Sequence, residues 1–185
     1  MCRRLAPLLL SGLLAALPAS AREAAEPAIA AQGTVQAAFA PWDDIEGLIV
    51  GQLAEARKQV LVQAYLLTNR PIVDALVAAR KRGVDVRVLM DNGQLDKNST
   101  ERLRQLRSAG VPVWLETRYR NAHNKVIVID AALPSAAVIT GSFNFTWSAQ
   151  HKNAENILVL GRNPTLAARY AANWERHRQD AEPAQ

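Results

Sequence analysis

The chain has 185 residues, a formal net charge of +5 and a single cysteine, Cys2. This length suits one domain with a substantial hydrophobic core. One cysteine excludes a disulfide within the chain, and Cys2 falls in a predicted export signal, so a mature chain without that signal has no thiolate for catalysis or metal binding. The mild positive charge gives only weak support for a polyanionic partner.

The first 21 residues predict a secretory signal peptide. Arg3 and Arg4 precede an apolar run over residues 5–17, and residues 18–21 supply the small side chains of a cleavage site. The apolar run is short for a membrane span, and no comparable run follows it, so we expect no stable membrane anchor after cleavage. A retained N-terminal anchor is the alternative. We expect export to the periplasm or the medium.

Strand and helix patterns alternate along the rest of the chain. Residues 22–32 are Ala-rich and predict a flexible lead, and residues 179–185 predict a disordered tail. Apolar patterns predict strands, in chain order, over residues 33–40, 60–67, 84–90, 111–115, 126–130, 137–141 and 157–160. Helices are predicted after Asp43-Asp44, from Pro71 to Ala79, from a capping box of Asn98 and Glu101 to Gly110, and from Asn163-Pro164 to His177.

This order of elements predicts one α/β domain over residues 33–178. Helices are expected on both faces of a mostly buried β-sheet. The late strands 126–130 and 137–141 follow each other directly, which implies an antiparallel portion and therefore a mixed sheet. The sequence contains neither an internal repeat nor an interdomain linker.

Polar residues whose side chains can take part in catalysis flank the apolar strand over residues 126–129. His123 and Lys125 are two residues apart, so on an extended chain their side chains lie on the same face. Asp130 lies an odd number of residues from both and is expected to face away from them. We therefore expect Asp130 to orient the site rather than to react, with a turn cap as the alternative.

A second polar pair follows in the next predicted strand and its continuation. Ser142 and Asn144 share one side, whereas Phe143 and Phe145 point to the other. Polar side chains above an apolar underside are typical of a lined pocket. The sequence therefore predicts that Ser142 and Asn144 line a binding site.

Together these residues resemble the motif of the phospholipase D superfamily. The pattern consists of His123-x-Lys125 with Asp130, then Gly141-Ser142-x-Asn144, then Lys152-Asn153-x-Glu155-Asn156. The single motif copy is most similar to the small bacterial endonucleases of that superfamily, over residues 33–178. The resemblance implies a phospholipase D-like domain with one motif per chain. The segment between Asp130 and Gly141 is longer here than in those nucleases, which predicts a longer hairpin turn.

The resemblance implies phosphodiester hydrolysis with His123, Lys125, Asp130 and Glu155 in the catalytic set. A neutral His123 imidazole can attack phosphorus and form a phosphohistidine. The charge on the phosphoryl oxygens can be held by Lys125, Asn144 and Ser142. The resemblance assigns to Glu155 the hydrogen bond that fixes the tautomer of His123.

A leaving oxygen also needs a general acid, and the motif provides one histidine per chain. The resemblance implies a homodimer in which the second copy contributes its own His123 as the acid, about a two-fold axis. No spacing of His, Asp or Glu is typical of a zinc or calcium site, so we predict no metal and no cofactor. His151 and His177 lie outside the motif and are predicted to be surface residues.

Phosphodiester chemistry of this kind is shared by enzymes that act on nucleic acids and on phospholipids. Arg118, Tyr119 and Arg120 precede His123 and are predicted to contact a phosphate backbone and an unpaired base. The sequence has no clear amphipathic surface helix or exposed apolar loop for a lipid surface. We therefore predict a metal-independent endonuclease for DNA, with RNA left open and little sequence specificity. A phospholipid phosphodiesterase and a nucleic-acid-binding protein without turnover are the alternatives.

Overall fold

The computed structural model describes residues 24–184, so the predicted signal peptide over residues 1–21 lies outside the described residues. The strands, in chain order, are β1 (Thr34–Ala40), β2 (Gln59–Ala64), β3 (Asp85–Asp91), β4 (Val113–Glu116), β5 (Lys125–Ile129), β6 (Ala137–Gly141), β7 (Glu155–Gly161) and β8 (Glu182–Pro183). The helices are α1 (Ile45–Glu55), α2 (Arg70–Lys81), α3 (Lys97–Ser108), α4 (Trp147–His151) and α5 (Pro164–Gln179).

All of these strands join one sheet in the order β1-β7-β6-β5-β2-β3-β4-β8. The pairs β2–β3 and β3–β4 are parallel, whereas β2–β5, β5–β6, β6–β7, β1–β7 and β4–β8 are antiparallel. The predicted mixed α/β sheet is confirmed.

Helices bury both faces of the sheet, as predicted. On one face Ile127 of β5 packs in a core with residues of α1, α2, α3 and α4, among them Ile49 and Leu76. On the other face Trp174 of α5 packs against Leu61 and neighbouring strand residues. The Trp174 indole also donates a hydrogen bond of 2.8 Å to the carbonyl of Val62. Among the described residues, no helix is long and apolar enough to span a membrane.

Side-chain caps set most helix starts, and one predicted cap is wrong. Helix α3 begins after Asp96, whose carboxylate accepts from the Ser99 amide at 2.8 Å while Ser99 Oγ accepts from the Asp96 amide at 2.8 Å. This reciprocal capping box lies two residues before the predicted Asn98 and Glu101 pair. The helix begins two residues earlier than predicted because Asp96 and Ser99 satisfy each other's backbone amides at its start.

The end of the chain differs from the predicted disordered tail. Glu182 pairs with Leu115 and Pro183 with Trp114, which adds β8 to the sheet edge. The Ala184 amide also donates to the carbonyl of Val113 at 2.9 Å. A two-residue strand contains no apolar alternation, so the sequence carried no signal for it.

Candidate active site

His123 lies just before β5, on a segment without regular secondary structure. Its neighbours are fixed to two other strands. The Ala122 amide donates to Asp91 Oδ2 at 2.5 Å, and the Tyr65 amide donates to the carbonyl of Asn124 at 2.8 Å. The backbone on both sides of His123 is therefore held by the ends of β2 and β3, while its side chain is exposed.

The structure brings His123 and Lys125 into direct contact, as their spacing predicts. Lys125 Nζ lies 2.9 Å from His123 Nδ1 and donates to the His123 carbonyl at 2.9 Å. The Tyr65 ring lies beside both groups, with its centroid 4.2 Å from the His123 ring centroid and 4.8 Å from Lys125 Nζ. The imidazole and the ammonium thus both pack against the Tyr65 ring.

Lys125 is an unusual lysine because its side chain is almost completely buried, with the residue 7% exposed. Burial lowers the pKa of this amine, and the negative charge of Glu155 offsets part of that effect. Within residues 24–184 the ammonium forms no ion pair with a carboxylate. A poorly hydrated ammonium without a carboxylate partner is well suited to an anionic ligand such as a phosphate.

Ser142 and Asn144 follow β6 and point away from the core, as predicted. Phe143 and Phe145 are only 0% and 1% exposed, and they anchor this segment by packing into the core. Asn144 Oδ1 is buried and has no hydrogen-bond partner within the described residues. A buried oxygen without a donor is costly, so this atom marks a place where a ligand or water can donate.

Gly141 has a packing role in the same segment. A Cβ at this position would lie 2.2 Å from the carbonyl oxygen of Asn156, so the backbones of β6 and β7 meet here too closely for any side chain. The Ser142 amide donates to that carbonyl at 3.0 Å. The glycine of the motif therefore sets the position of Ser142 against β7.

Glu155 lies at the start of β7 and belongs to the same group, but one predicted contact is not made within the chain. Its carboxylate accepts from Ser142 Oγ at 2.6 Å and from Asn153 Nδ2 at 2.9 Å. Within residues 24–184 it makes no hydrogen bond to His123. The partner of His123 Nδ1 is Lys125, so the contact that the resemblance assigns to Glu155 is absent from a single chain.

The contact with Lys125 has a consequence for the protonation of His123. An ammonium can only donate, so Nδ1 accepts and a neutral imidazole holds its proton on Nε2. A general acid must instead be an imidazolium, which carries a proton on both ring nitrogens. Attack through Nε2 likewise requires the proton on Nδ1 and an acceptor for it. In either role, Nδ1 must therefore exchange its contact with the Lys125 ammonium for a hydrogen-bond acceptor.

Asp130 lies at the far end of β5, which places its Cα about 16 Å from that of Lys125 at roughly 3.3 Å per residue. Its carboxylate accepts from the amides of Arg57, Lys58 and Gln59 at 2.9, 2.7 and 2.9 Å. The residue is 3% exposed and has a left-handed φ of 51°. The structure thus separates Asp130 from His123 and gives it the turn-capping role. The longer hairpin that follows keeps the β5–β6 pairing intact.

Two of the three residues predicted to contact nucleic acid are bound within the chain. Arg118 forms an ion pair with Asp180, and the Tyr119 ring lies 5.2 Å from the ring of His177. Arg120 is exposed. The Arg118 side chain and Tyr119 are also 63% and 42% exposed, so all three side chains remain accessible to a ligand.

The prediction that His177 is a surface residue is wrong. Its side chain is 16% exposed, and Nδ1 lies 2.6 Å from a carboxylate oxygen of the buried Glu116. Gln63 Nε2 donates to both oxygens of that carboxylate at 3.2 Å. The buried Glu116 on β4 needs these donors, and α5 and β2, far apart in sequence, supply them. His151 is exposed, as predicted.

Asp91 and Tyr65 are site residues that the sequence did not reveal. Asp91 is 2% exposed, and its Oδ2 holds the amide that precedes His123. Its sequence context, Asp91-Asn92-Gly93, indicated only a turn. Tyr65 follows β2 and has no motif around it. Only the pairing of β2 with β5 and β3 places these two residues next to His123.

The described residues contain no group of three or more His, Cys, Asp or Glu side chains that could hold a metal ion. The polar groups that the motif adds beside His123 are the Lys125 amine, the Asn144 amide, the Ser142 hydroxyl and the Glu155 carboxylate. This set provides hydrogen-bond donors and one positive charge. It can therefore bind a phosphoryl group and present an imidazole to it.

A mixed α/β sheet that carries such a group at the end of its central strands defines a phosphodiesterase of the hydrolase class. Comparisons with known proteins agree. The family model described as cardiolipin synthase, PLD-like domain, matches residues 49–178. The chain therefore belongs to the phospholipase D-like family, as the motif predicted.

Individual relatives give the same result. The chain is 39% identical over 143 residues to a phospholipase D of Rickettsia prowazekii. The aligned segment covers 77% of this chain and 67% of that protein. The crystal structure of Nuc, a phospholipase D family member from Salmonella typhimurium, has a TM-score of 0.78 and 31% identity, and covers 82% of this chain and 98% of that one. NucT from Helicobacter pylori has a TM-score of 0.72 at 20% identity over 82% of this chain and 99% of that one, and supports the fold.

Proposed function

We propose that the protein is an exported endonuclease that hydrolyses phosphodiester bonds of DNA, with little sequence specificity and without a metal. The observation that carries this proposal is the buried Lys125 ammonium beside the exposed His123 imidazole. It combines a positive charge for a phosphoryl group with a group that reacts with phosphorus. The export part of the proposal depends on residues 1–21 alone, and RNA is a further substrate to be tested.

The proposed reaction has two steps. The His123 imidazole attacks phosphorus, a P–N bond forms, and the P–O bond to one strand breaks while a second histidine, as its imidazolium, protonates the leaving oxygen and becomes a neutral imidazole. Water, deprotonated by that second imidazole, then attacks the phosphohistidine and releases a phosphomonoester and free His123. Lys125, Asn144 and Ser142 stabilise the charge on the phosphoryl oxygens in both steps.

The second imidazole is proposed to come from another copy of the chain. Each chain has one His-x-Lys motif, and one His123 cannot attack phosphorus and protonate the leaving oxygen in the same step. An exposed apolar face is available for contact between copies. Val35, Phe39 and Leu158 are 66%, 52% and 37% exposed on β1 and β7. Helix α5 lies mainly against β2, β4, β5 and β6, so within residues 24–184 the apolar side chains of β1 and β7 on this face remain exposed.

The homodimer proposal predicts that the mature protein sediments as a dimer and that Phe39→Asp shifts it towards the monomer with a parallel loss of cleavage. An aspartate in an apolar contact loses hydration without gaining a partner. Gly51→Asp is the matched control, because Gly51 is exposed on α1 with open space around it. Analytical ultracentrifugation alongside a cleavage assay checks both variants. A wild-type monomer with full activity would refute the shared site.

Two features support nucleic acid as the substrate. The continuation Gly141-Ser142-Phe143-Asn144-Phe145-Thr146 resembles the small bacterial endonucleases, and the chain matches nearly the whole length of Nuc. A phospholipid phosphodiesterase is the second candidate. The rickettsial relatives are named phospholipase D, and the exposed Trp42, at 82%, and Phe39 are side chains that suit a lipid interface.

The deciding experiment is degradation of plasmid DNA by the purified mature protein in excess EDTA. Cleavage is expected to persist, because the charge on phosphorus is held by Lys125 and amide or hydroxyl donors rather than by a divalent cation. Phosphatidylcholine and cardiolipin vesicles are assayed in parallel. Inactivity on DNA together with release of a lipid headgroup would replace the nuclease proposal with the second candidate. Folded protein that binds DNA without cleaving either substrate would favour a non-catalytic binding protein.

A further inference from the structure

Helix α4 and the residue after it carry an exposed aromatic and cationic group to which the site described above gives no role. The Trp147 ring lies 4.6 Å from the His151 ring, and Lys152 Nζ lies 5.7 Å from the centroid of Trp147. Trp147 is 56% exposed, so a large part of its indole remains open to solvent. We refer to Trp147, His151 and Lys152 as the α4 platform.

The chain itself places the α4 platform beside the phosphate site. Trp147 follows Asn144 by three residues, and Lys152 precedes Glu155 by three residues. Three residues span at most about 11 Å, so both ends of the platform lie within one or two nucleotides of the motif residues. Ala149 of α4 packs in the same core as Ile127. Lys125 and Ile127 alternate on β5 and point to the same face, so the platform and Lys125 share that face of the sheet.

We propose that the α4 platform binds an unpaired base of the nucleic-acid strand whose phosphate lies against His123 and Lys125. The proposal rests on the nuclease function proposed above and names its preferred substrate, single-stranded nucleic acid. Every base has a flat π face, so an exposed indole binds bases without sequence preference. The Lys152 ammonium is available for the adjoining phosphate.

Duplex DNA cannot use this group in the same way. Its bases are stacked on one another and paired, so a base reaches the indole only after it leaves the helix, which costs free energy. The sequence predicted Tyr119 as the stacking residue, and the Tyr119 ring is 42% exposed and contacts His177. Trp147 is more exposed, at 56%, and lies three residues from Asn144, so we assign the stacking role to Trp147.

The test is performed with His123→Ala protein, which removes the proposed nucleophile and allows binding to be measured without cleavage. Fluorescence anisotropy gives the Kd for a labelled oligonucleotide, free as a single strand or closed as a hairpin duplex. Trp147→Ala is expected to weaken single-strand binding by about tenfold or more and duplex binding by much less. Trp147→Phe keeps an aromatic face and is expected to restore most of the single-strand affinity.

Lys152→Ala and Lys81→Ala form the matched charge pair, since Lys81 is exposed at the end of α2, just before the start of β3 and at the end of that strand opposite to Asp91. Lys152→Ala is expected to weaken single-strand binding and Lys81→Ala to leave it unchanged. Equal weakening of single strand and duplex by Trp147→Ala, or no weakening of either, would overturn the proposal. Unchanged DNA binding with weaker binding to cardiolipin vesicles would assign Trp147 to a lipid surface and also overturn it. Failure of the wild type to cleave DNA would instead refute the proposed function.

Discussion

Replacing His123 with alanine is expected to reduce the turnover of DNA cleavage by a factor of about 10³ or more and to leave DNA binding largely intact. The substitution removes the atom that forms the bond to phosphorus and, in the second copy, the proton donor for the leaving oxygen. The phosphate contacts from Lys125 and Asn144 remain. Turnover and binding are measured separately, by single-turnover cleavage and by anisotropy.

Asn121→Ala is a suitable control for this prediction, because Asn121 is exposed on the same irregular segment and the change in size is similar. It is expected to retain turnover. A radiolabelled phosphate that remains attached to wild-type protein after an alkaline quench, and is absent from His123→Ala, would identify the phosphohistidine. If His123→Ala lost binding and turnover by the same factor, the imidazole would be a binding group rather than a nucleophile.

The same variant tests whether two copies share one site. After subunit exchange, a mixed dimer of wild type and His123→Ala lacks either the nucleophile or the acid, so it is expected to be inactive. An excess of the variant should then reduce activity more steeply than simple dilution does. A strictly proportional decrease would show that each chain works alone, and would leave the acid to be found within one chain.

Most of the fold follows from local sequence patterns. Short β-branched runs such as Val126–Ile129 predict strands, and the Asn69-Arg70-Pro71 and Asn163-Pro164 starts fit the helices that they open. The contact between His123 and Lys125 was also predictable, since residues two apart share a face when the chain is extended. The burial of Phe143 and Phe145 below Asn144 follows from the same rule.

The other site contacts depend on residues far apart in the chain. Glu116 and His177 are 61 residues apart, and Asp91 and Ala122 are 31 residues apart. No periodicity relates such residues, because the order of strands in the sheet brings them together. Helix α4 was missed for another reason: with five residues it is too short to show a helical period. Tertiary contacts therefore set the surroundings of Asp91 and His177, and the shortness of α4 hid Trp147.

Asp130 shows most clearly what a motif alone cannot tell. Its place in the His-x-Lys pattern suggests chemistry, whereas its carboxylate accepts three backbone amides between α1 and β2. Asp130→Ala removes the acceptor of these part-buried amides and leaves a residue at φ 51° without the polar side chain that favours a left-handed backbone. The free energy of unfolding is expected to fall by about 3–5 kcal/mol. Turnover of the folded fraction at low temperature should change little.

A series at this position separates the two contributions. Asp130→Asn keeps one acceptor oxygen but turns its NH₂ group towards an amide donor, so a smaller loss of about 1–2 kcal/mol is expected. Asp130→Gly loses every side-chain hydrogen bond yet tolerates the left-handed backbone, so it should be more stable than Asp130→Ala. Urea unfolding with unchanged m-values gives the stabilities, and single-turnover cleavage of folded protein gives the chemistry. If Asp130→Asn kept its stability but lost turnover as His123→Ala does, Asp130 would act on the reaction. Because Asp130 lies at the far end of β5, its effect on the reaction would then have to be transmitted to His123 along the strand.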